Sequence, residues 1–346
     1  MTSSAYFQVG PDRYREKFGL TFEEVRPGMT IRHRPGIDVS QRDNHIDAVD
    51  LINNAHLHYD SHYAAQTEWA DPLTVSTMTV QRFFGMASRS WYRRRRLLGI
   101  DSLALTGPVQ GDDTLYAETT VTDVSETGDP DVGQVSLTLR GLSRDGRQIA
   151  KIDYSIEVYK SGRHPEDPTD ATVPRNPRFA AHHATDDKVL VEQTGLVFED
   201  LRSGETFEHW PQRKITAQEV RLHALRSLEI NPRWHDEPSA RRHGEAQVWE
   251  PLLIGVVTGL TTRTFGRVVA NLGWTDISLP APMRPGQTVR AESTVIDLRA
   301  SGSRPDQGIA TVETRAYADG DTLVCSYRRA LLIYRRDAGP YAQAGY

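Results

Sequence analysis

The chain contains 346 residues, with 41 lysines and arginines against 46 aspartates and glutamates, so its formal net charge is −5. This length allows two domains of ordinary size, each large enough to bury its own core. The slightly acidic balance argues against nucleic acid as a partner, which would require a broadly basic face, and no apolar run approaches the roughly 18 residues of a membrane span.

Two features of the sequence are typical of a reducing compartment. The first ten residues lack the charged and then apolar pattern of a secretory signal. The only cysteine, Cys325, has no second cysteine with which to form an internal disulfide. We therefore expect a cytoplasmic protein. Cys325 itself lies in an alternating, strand-like run, which predicts a small core residue rather than a nucleophile.

The first recognisable element is a short segment that occurs twice. Gly19–Gly28 recurs as Gly195–Gly204, an offset of 176 residues. Carried forward, the same offset pairs three positions of interest: Asn53 with Glu229, His58 with Trp234, and Asp60 with Asp236. The sequence therefore predicts two copies of one fold, of which only the first keeps this histidine, so that one site is active and the other has been lost.

The repeat continues through both halves of the chain. Further matches are Asp71-Pro72-Leu73 with Glu250-Pro251-Leu252, Thr114–Val121 with Thr288–Val295, and Asp145-Gly146 with Asp319-Gly320. Between the halves lies a segment with prolines at positions 165, 168, 174 and 177, a composition typical of a linker. We predict a first unit over residues 1–160, a linker over 161–188 and a second unit over 189–346.

Each half is predicted to have the same order of elements. A short strand comes first, and a helical stretch follows near residues 43–53 and 216–229, where Thr216–Glu219 has the form of a capping box. A longer helix comes next, because Val80, Phe83, Phe84, Ala87 and Trp91 fall on one helical face. Antiparallel strands complete the half, with Asp145-Gly146 as a hairpin turn. This order predicts an α+β fold in which a sheet covers a helix.

The segment around the histidine resembles the MaoC-like hydratases and dehydratases, whose motif is Asp-x-Asn-Pro-(aliphatic)-His and whose fold is the hot dog fold. The second half reads Glu229-Ile230-Asn231-Pro232-Arg233-Trp234-His235, with tryptophan in place of the histidine. The first half reads Asn53-Asn54-Ala55-His56-Leu57-His58, with the histidine but without Asn-Pro. The resemblance implies a double hot dog, in which two fused units join their sheets edge to edge.

One subgroup is more similar still, the mesaconyl-CoA hydratases, also called methylmalyl-CoA dehydratases. Their active half has Asn, Ala and His at the spacing of Asn53, Ala55 and His58, and their silent half resembles Val269–Trp274 and Arg284–Gly286 here. In that subgroup the silent half comes first, whereas here the histidine half does. The resemblance implies reversible hydration of a 2-enoyl-CoA to a 3-hydroxyacyl-CoA, with a branched or dicarboxylic C5 acyl group as one option.

Other functions stay open at this point. One is dehydration of a polyketide or other secondary-metabolite thioester, and another is binding of an acyl thioester without catalysis, which the missing aspartate in both halves favours. The expected partner is an acyl-CoA or an acyl-carrier thioester. Coenzyme A would enter as part of the substrate, no separate cofactor is predicted, and hot dog units commonly pair into homo-oligomers such as dimers.

Hydration of an unsaturated thioester requires a group that moves protons and a water that is held in place. His58 is the candidate acid and base, because imidazole titrates near neutrality. The Asn53 amide could orient the water, although a turn or cap role is the alternative, and Asp60 is the second candidate for the base. The competing interpretation of His58 is a structural histidine held by hydrogen bonds.

Stabilisation of the enolate oxygen requires free N–H donors, which a helix start provides. Counting from the motif, the long helix begins near Ser76, Thr77 and Met78, and we predict that their amides bind the thioester oxygen. The family usually has glycine here, and the repeat as aligned places Gly255 at the equivalent position of the second half.

Two further clusters have competing interpretations. The density of histidines in His56–His62 suggests a metal site, but the metallo-hydrolase pattern requires His directly after Asp, and Ser61 stands there; no metal is predicted. The run Arg93, Arg94, Arg95 and Arg96 could contact the phosphates of coenzyme A, or could be a solvated helix end that complements the helix dipole.

Overall fold

The computed structural model describes residues 3–346 of the chain. Met1 and Thr2, at the start of the predicted first unit, lie outside the described residues. The described chain forms two seven-stranded, mostly antiparallel sheets, each packed against helices of its own half. The α+β class and the presence of two units of one design are therefore confirmed.

The strands of the described chain all belong to one or other sheet. In chain order they are β1 (Tyr6–Gly10), β2 (Arg13–Glu16), β3 (Thr30–Asp38), β4 (Arg94–Leu105), β5 (Thr114–Glu126), β6 (Val132–Ser143), β7 (Gln148–Tyr159), β8 (His182–Ala184), β9 (Leu190–Glu192), β10 (Thr206–Lys214), β11 (Val268–Ser278), β12 (Thr288–Ala300), β13 (Gln307–Ala318) and β14 (Thr322–Tyr334). The first sheet has the order β4-β7-β6-β5-β3-β9-β8, and the second has β11-β14-β13-β12-β10-β2-β1.

The helices are short, and the four longest of them fall where the sequence predicts helices, whereas the three shortest were not predicted. They are α1 (Gln41–Asp50), α2 (Ser61–Ala64), α3 (Ser76–Ala87), α4 (Ala217–Arg226), α5 (Glu237–Arg242), α6 (Glu250–Leu260) and α7 (Thr262–Phe265). The predicted capping box at α4 is confirmed, since Thr216 Oγ1 accepts from Glu219 N at 3.2 Å and the Glu219 carboxylate accepts from Thr216 N at 2.8 Å. Within residues 3–346, each helix is too short or too polar to cross a bilayer.

The helix α3 is the centre of the first core. Phe83 and Ala87 are buried on its inner face, with Val80 and Phe84 packed beside them. The helix ends at Ala87, one turn earlier than the apolar periodicity suggests, yet Trp91 remains in the core. The sheet approaches closely here: a Cβ on Gly141 of β6 would lie 2.3 Å from the Phe83 ring, so glycine is required there.

The hairpins predicted from the Asp-Gly turns are confirmed. Strands β6 and β7 are joined through Asp145-Gly146, and β13 and β14 through Asp319-Gly320, with both glycines at positive φ. Cys325 on β14 is fully buried, as predicted for a core residue, and burial raises the pKa of its thiol to about 11.

The hairpins that precede the two units are exchanged. Strands β1 and β2 come before the first unit but extend the second sheet, where β2 pairs in parallel with β10. Strands β8 and β9 come before the second unit but extend the first sheet, where β9 pairs in parallel with β3. The predicted boundaries at residues 160 and 189 therefore do not separate the sheets, and β8 lies within the segment 161–188 that was predicted as a linker.

Aromatic packing explains why the first hairpin crosses over. The Tyr6 and Tyr14 rings lie 4.8 and 4.7 Å from the ring of Phe179, between centroids, and both also pack against Phe207 on β10. These aromatic side chains form part of the core of the second unit. Left beside the first unit, the same rings would be exposed to water, at a loss of hydrophobic free energy.

The predicted edge-to-edge junction of the sheets is limited to one short bridge. Within the described residues no strand of one sheet pairs with a strand of the other. Ser4, just before the edge strand β1, forms an isolated antiparallel bridge with Ala180, just before the edge strand β8. Strands β4 and β11 lie at the opposite edges of their sheets and have one neighbour each. Apolar side chains on β4 are correspondingly open: Leu97, Ile100 and Leu103 are 41%, 42% and 44% exposed.

Candidate active site

His58 lies at the end of a single 3₁₀ turn, His56–His58, between α1 and α2. Its ring nitrogen Nδ1 donates to the carbonyl oxygen of Leu73 at 2.9 Å. A carbonyl can only accept, so the proton of the neutral ring must be on Nδ1 and the other nitrogen, Nε2, carries the lone pair. The imidazole is partly buried. The geometry thus fixes the ring and its tautomer and leaves Nε2 available for proton transfer.

The residue that organises this region is Asn44, which the sequence analysis missed. Its Nδ2 donates to the carbonyls of His58 at 2.8 Å and Leu73 at 3.0 Å, and its Oδ1 accepts from Val75 N at 2.8 Å. The side chain is 1% exposed. One buried amide therefore joins α1, the histidine turn and the residue that precedes α3.

The two other predicted polar residues have local backbone partners. Asn53 Oδ1 accepts from Ala55 N at 3.0 Å, which is the turn geometry given as its alternative role, while its Nδ2 has no partner among residues 3–346. Asp60 Oδ1 accepts from Tyr63 N at 2.9 Å and caps α2 in an exposed position. The Asn53 Nδ2 group can therefore donate to a water, whereas the Asp60 carboxylate already accepts the hydrogen bond that caps α2.

The helix α3 begins with free donors. Its N-cap, Val75, has no side-chain acceptor, and the backbone N–H groups of Ser76 and Thr77 have no acceptor within the described chain. The Met78 N–H, the third predicted donor, instead donates to the Val75 carbonyl at 3.0 Å. The donors available to a thioester oxygen are therefore those of Ser76 and Thr77.

A cavity of about 360 Å³ opens beside the start of α3. It is lined by Trp69, Leu73, Thr74, Ser76, Thr79, Leu105, Thr106, Gly107, Pro108, Val109 and Ile149. Leu73 belongs both to this lining and to the support of His58, because its carbonyl accepts the imidazole proton. Of the predicted site residues, Ser76 lines the cavity, whereas His58 and Asn53 do not, and His58 is connected to the lining through the Leu73 carbonyl.

The second half repeats the backbone of this site without its chemistry. Trp234 ends the equivalent 3₁₀ turn, and the Glu229 side chain accepts from Asn231 N as Asn53 accepts from Ala55 N. The helix α6 begins with Glu250, a carboxylate where the first half has the hydroxyl of Ser76. A negative side chain at that helix start would oppose a developing enolate.

The structure corrects one part of the repeat alignment. Thr74 N donates to Val109 O and Val248 N donates to Met283 O, so the offset before the long helices is 174 residues. The predicted match of Asp71-Pro72-Leu73 with Glu250-Pro251-Leu252 is wrong, because the first segment precedes α3 and the second lies inside α6. Gly255 is likewise in the middle of α6 and has no equivalent role to Ser76–Met78.

The arginine run is mostly neutralised. Arg93 is 2% exposed and donates twice to Asp167, at 2.9 and 2.5 Å. Arg95 and Arg96 both bind Glu157, and the hydrogen bonds from Arg96 and Arg95 lower the pKa of that carboxyl to about 2. Arg94, Arg95 and Arg96 start the strand β4 rather than ending a helix. Only Arg94 lacks an ion-pair partner within residues 3–346.

The histidine-rich segment does not form a metal site in the structure. Among the described residues there is no cluster of three or more His, Cys, Asp or Glu side chains that could hold a metal ion. His56 instead packs edge-on against the ring of Tyr63, at 5.6 Å between centroids.

Similarity to known proteins was found both in sequence and in structure. Residues 176–345 match the family described as mesaconyl-CoA hydratase. This match lies in the second half of the chain and covers slightly less than half of its length. The sequence is also 36% identical over 154 residues to the mesaconyl-CoA hydratase of Cereibacter sphaeroides, covering 43% of this chain and 44% of that protein. The β-methylmalyl-CoA dehydratase of Chloroflexus aurantiacus is 29% identical over 146 residues, 41% of each chain.

These matches confirm the resemblance to the mesaconyl-CoA hydratases, and each spans less than half the length of the relative. Solved structures were also similar over most of the chain. A putative MaoC domain dehydratase from Chloroflexus aurantiacus has a TM-score of 0.41 at 18% identity, covering 92% of this chain and 98% of that one. A double hot dog protein of Mycobacterium tuberculosis has a TM-score of 0.38 at 19% identity, covering 91% and 99%. Values this low say nothing about activity.

Proposed function

We propose that this chain catalyses the reversible addition of water to a 2-enoyl-CoA, giving a 3-hydroxyacyl-CoA. The main support for the proposal is that three features of the site involve one residue, Leu73. Its carbonyl fixes the tautomer of His58, the residue is part of the cavity lining, and it lies three residues before the free N–H groups at the start of α3. The names of the relatives, hydratase and dehydratase of acyl-CoA compounds, support the same reaction.

The residues divide the reaction between them. His58 Nε2 removes a proton from water as the water oxygen bonds to C3 of the enoyl group, and returns a proton to C2. Asn53 Nδ2, which has no protein partner among the described residues, orients the water. The Ser76 and Thr77 N–H groups bind the thioester oxygen, whose negative charge grows in the enolate. Coenzyme A takes part as the carrier of the acyl group, and the chemistry requires no other cofactor.

The acyl group is inferred from the relatives rather than from the cavity. Mesaconyl-CoA and β-methylmalyl-CoA, in the names of the relatives, favour a branched, dicarboxylic C5 chain. Arg94 is the residue of the arginine run that remains free to bind a phosphate of coenzyme A. A cytoplasmic location and a homodimer stay predictions from the sequence.

The test is His58→Ala, with His62→Ala as the matched control four residues away and Asp60→Asn as a second control. We expect the His58 variant to lose about 10²–10⁴-fold in hydration of crotonyl-CoA and mesaconyl-CoA, followed by the absorbance of the enoyl thioester. The controls should keep activity, because His62 is exposed and asparagine caps a helix as aspartate does. Full activity in His58→Ala, or its loss in Asp60→Asn alone, would assign the proton transfer elsewhere.

A second candidate function is binding of an acyl thioester without turnover. The feature that favours it is the amide of Asn53 in the position where the family motif has a carboxylate. Calorimetric binding of crotonyl-CoA with no change in absorbance would establish this alternative. Turnover of a carrier-bound thioester but not of the CoA ester would favour instead the dehydratase of secondary metabolism.

A further inference from the structure

A second cavity, of about 290 Å³, lies where the two units meet. It is lined by Ala5, Tyr6, Pro177, Arg178, Phe179, Ala180, His182, His183, Gln193, Gly195, Leu196, Val197, Asp200, Arg263, Arg267, Arg336 and Asp337. None of these residues lines the cavity beside His58. Both exchanged hairpins contribute to the wall, β1 through Tyr6 and β8 through His182.

Several cationic and polar groups in this wall have unused hydrogen-bonding capacity. Arg263 is 8% exposed; one terminal nitrogen donates to Gln193 O at 2.6 Å, and its Nε has no partner. Arg267 donates only through Nε, to Gly195 O at 3.3 Å, within the described chain. His182 is 4% exposed; its Nε2 donates to Ser90 Oγ at 3.0 Å, because the Ser90 hydroxyl itself donates to Glu192, and its unpartnered Nδ1 is therefore an acceptor. Buried polar groups without hydrogen-bond partners destabilise the folded protein unless a ligand or water binds them.

The nearby carboxylates do not neutralise these two arginines. Glu205 pairs with Arg178, and Asp200 pairs with Arg336. Neither Arg263 nor Arg267 forms a salt bridge among residues 3–346, and burial lowers the pKa of the Arg267 guanidinium. The cavity therefore has two guanidinium groups in excess of its paired acids, with one further carboxylate, the exposed Asp337, at its rim.

The first unit shows how the same position is satisfied internally. Arg93 and Arg267 are equivalent, since the carbonyl of Arg93 accepts from Tyr159 N at 3.0 Å and that of Arg267 from Tyr334 N at 3.1 Å. Arg93 is bound by both oxygens of Asp167, from the segment between the units. Arg267 has no such carboxylate: the Tyr341 ring lies over its guanidinium, 4.1 Å from the centroid, and open space lies beside it.

We propose that this cavity binds a small anion carrying a carboxylate or phosphate group, held by Arg267 and Arg263. A planar guanidinium binds both oxygens of such a group, as Arg93 binds Asp167. A ligand in this cavity contacts both exchanged hairpins. Its binding therefore stabilises the folded protein at the junction between the units.

The test is a titration of the full chain with sodium succinate and, separately, with inorganic phosphate, at constant ionic strength kept with sodium chloride. Thermal unfolding and calorimetry report binding. We expect a saturable rise in melting temperature with at least one anion, and an affinity about tenfold lower in Arg267→Gln. Arg299→Gln, which removes the same charge from an exposed position of the second unit, should bind as the natural chain does.

A second variant keeps the test informative if Arg267→Gln unfolds. Tyr341→Asp places a carboxylate beside Arg267, as Asp167 lies beside Arg93, and should abolish the response to added anion in a folded protein. Equal responses to succinate, phosphate and chloride would overturn the proposal, and so would undiminished binding in Tyr341→Asp. Comparison of the succinate and phosphate arms tells a carboxylate ligand from a phosphate ligand.

Discussion

At the scale of single residues, the histidine site depends on an asparagine with no catalytic motif of its own. Asn44 lies in the middle of α1, where an isolated asparagine is unremarkable in a sequence. The repeat does contain a signal, because the equivalent residue of the second half is Val220, buried in α4. When a buried helical position is polar in one copy of a repeat and apolar in the other, the polar side chain is expected to form specific hydrogen bonds.

We expect Asn44→Ala to lower the kcat for hydration with a smaller effect on KM, because the turn that bears His58 loses its tie to Leu73 and α3. The free energy of unfolding should also fall, by about 1–3 kcal/mol, since the buried Val75 N–H is left without an acceptor. Steady-state kinetics and urea denaturation measure the two effects. The control is Asn54→Ala, an exposed neighbour; similar losses in both variants would mean that the amide does not position His58.

Other residues of the site were predictable to different degrees. The offset of the repeat identified His58 and Asn53. The predicted start of the long helix, counted in residues from the histidine motif, identified Ser76 and Thr77. The sequence could not show that the Met78 N–H donates to the Val75 carbonyl, because that hydrogen bond depends on the geometry of the first helical turn. The partners of Arg93, Arg95 and Arg96 are far away in sequence, so a run that reads as a free basic patch is in fact mostly paired.

At the scale of elements, local patterns gave the strands, the capping box and the Asp-Gly hairpins, because these depend on neighbours in the chain. The exchange of β1–β2 with β8–β9 was beyond such patterns, since two short strands fit either sheet equally well by alternation. Besides the aromatic packing of the first hairpin, a buried hydrogen-bond network supports the exchange. It occurs once in each unit and joins a hairpin of one half to a strand of the other.

In the first network, Glu192 on β9 accepts from His33 Nδ1 at 2.9 Å, Arg34 N at 3.1 Å and Ser90 Oγ at 2.5 Å. In the second, Glu16 on β2 accepts from His209 Nδ1 at 3.0 Å, Trp210 N at 2.9 Å and Thr264 Oγ1 at 2.6 Å. Both glutamates are almost completely buried. The repetition of the network indicates that each hairpin is held by the same means.

We predict that Glu192→Ala and Glu16→Ala each lower the free energy of unfolding by about 3 kcal/mol or more, because three buried donors lose their acceptor together. The control is Glu313→Ala on β13, whose partners Arg315 and Arg328 are half exposed; that change should remove less than about 1 kcal/mol. Chemical denaturation compares the three. Equal, small effects would show that the hairpins are held by the aromatic core alone.

At the scale of the whole molecule, the junction should make stability depend on pH. Burial lowers the pKa of His182 from an ordinary 6.5 to about 4. The negative charge of Glu192 opposes this shift, and the positive charges of Arg263, His33 and Lys17 add to it. The unfolded chain therefore takes up a proton at this histidine between about pH 6.5 and 4 while the folded chain does not, so stability falls as the pH is lowered through that range.

The expected loss from this histidine is up to about 3 kcal/mol, spread over that range of pH. Denaturation in chloride buffers at pH 6.5, 5.5 and 4.5 measures it, and His182→Gln should flatten the dependence because glutamine can still bond Ser90 without titrating. His62→Gln, at an exposed position, is the comparison variant. An unchanged slope in His182→Gln would place the pH dependence in other groups.

The exchange also predicts how the chain behaves when divided. Cut at the exposed Asp170, each fragment keeps a hairpin that belongs to the other's sheet. Produced alone, neither fragment should show a cooperative thermal transition. The first fragment leaves Tyr6, Tyr14 and the edge of β3 without cover, and the second leaves the edge of β10 without its partner strand β2. Produced together, the fragments should co-purify and unfold as one. A stable, cooperative fragment 171–346 on its own would contradict this.

The crossed hairpins also bear on the half of the chain that lacks the histidine. Each unit has only five of the seven strands of its own sheet and takes the other two from the opposite half of the chain. The half without the histidine is therefore structurally necessary to the half that has it. Substitutions that unfold the second half would deprive the first sheet of β8 and β9, even though they lie far from His58 in the sequence.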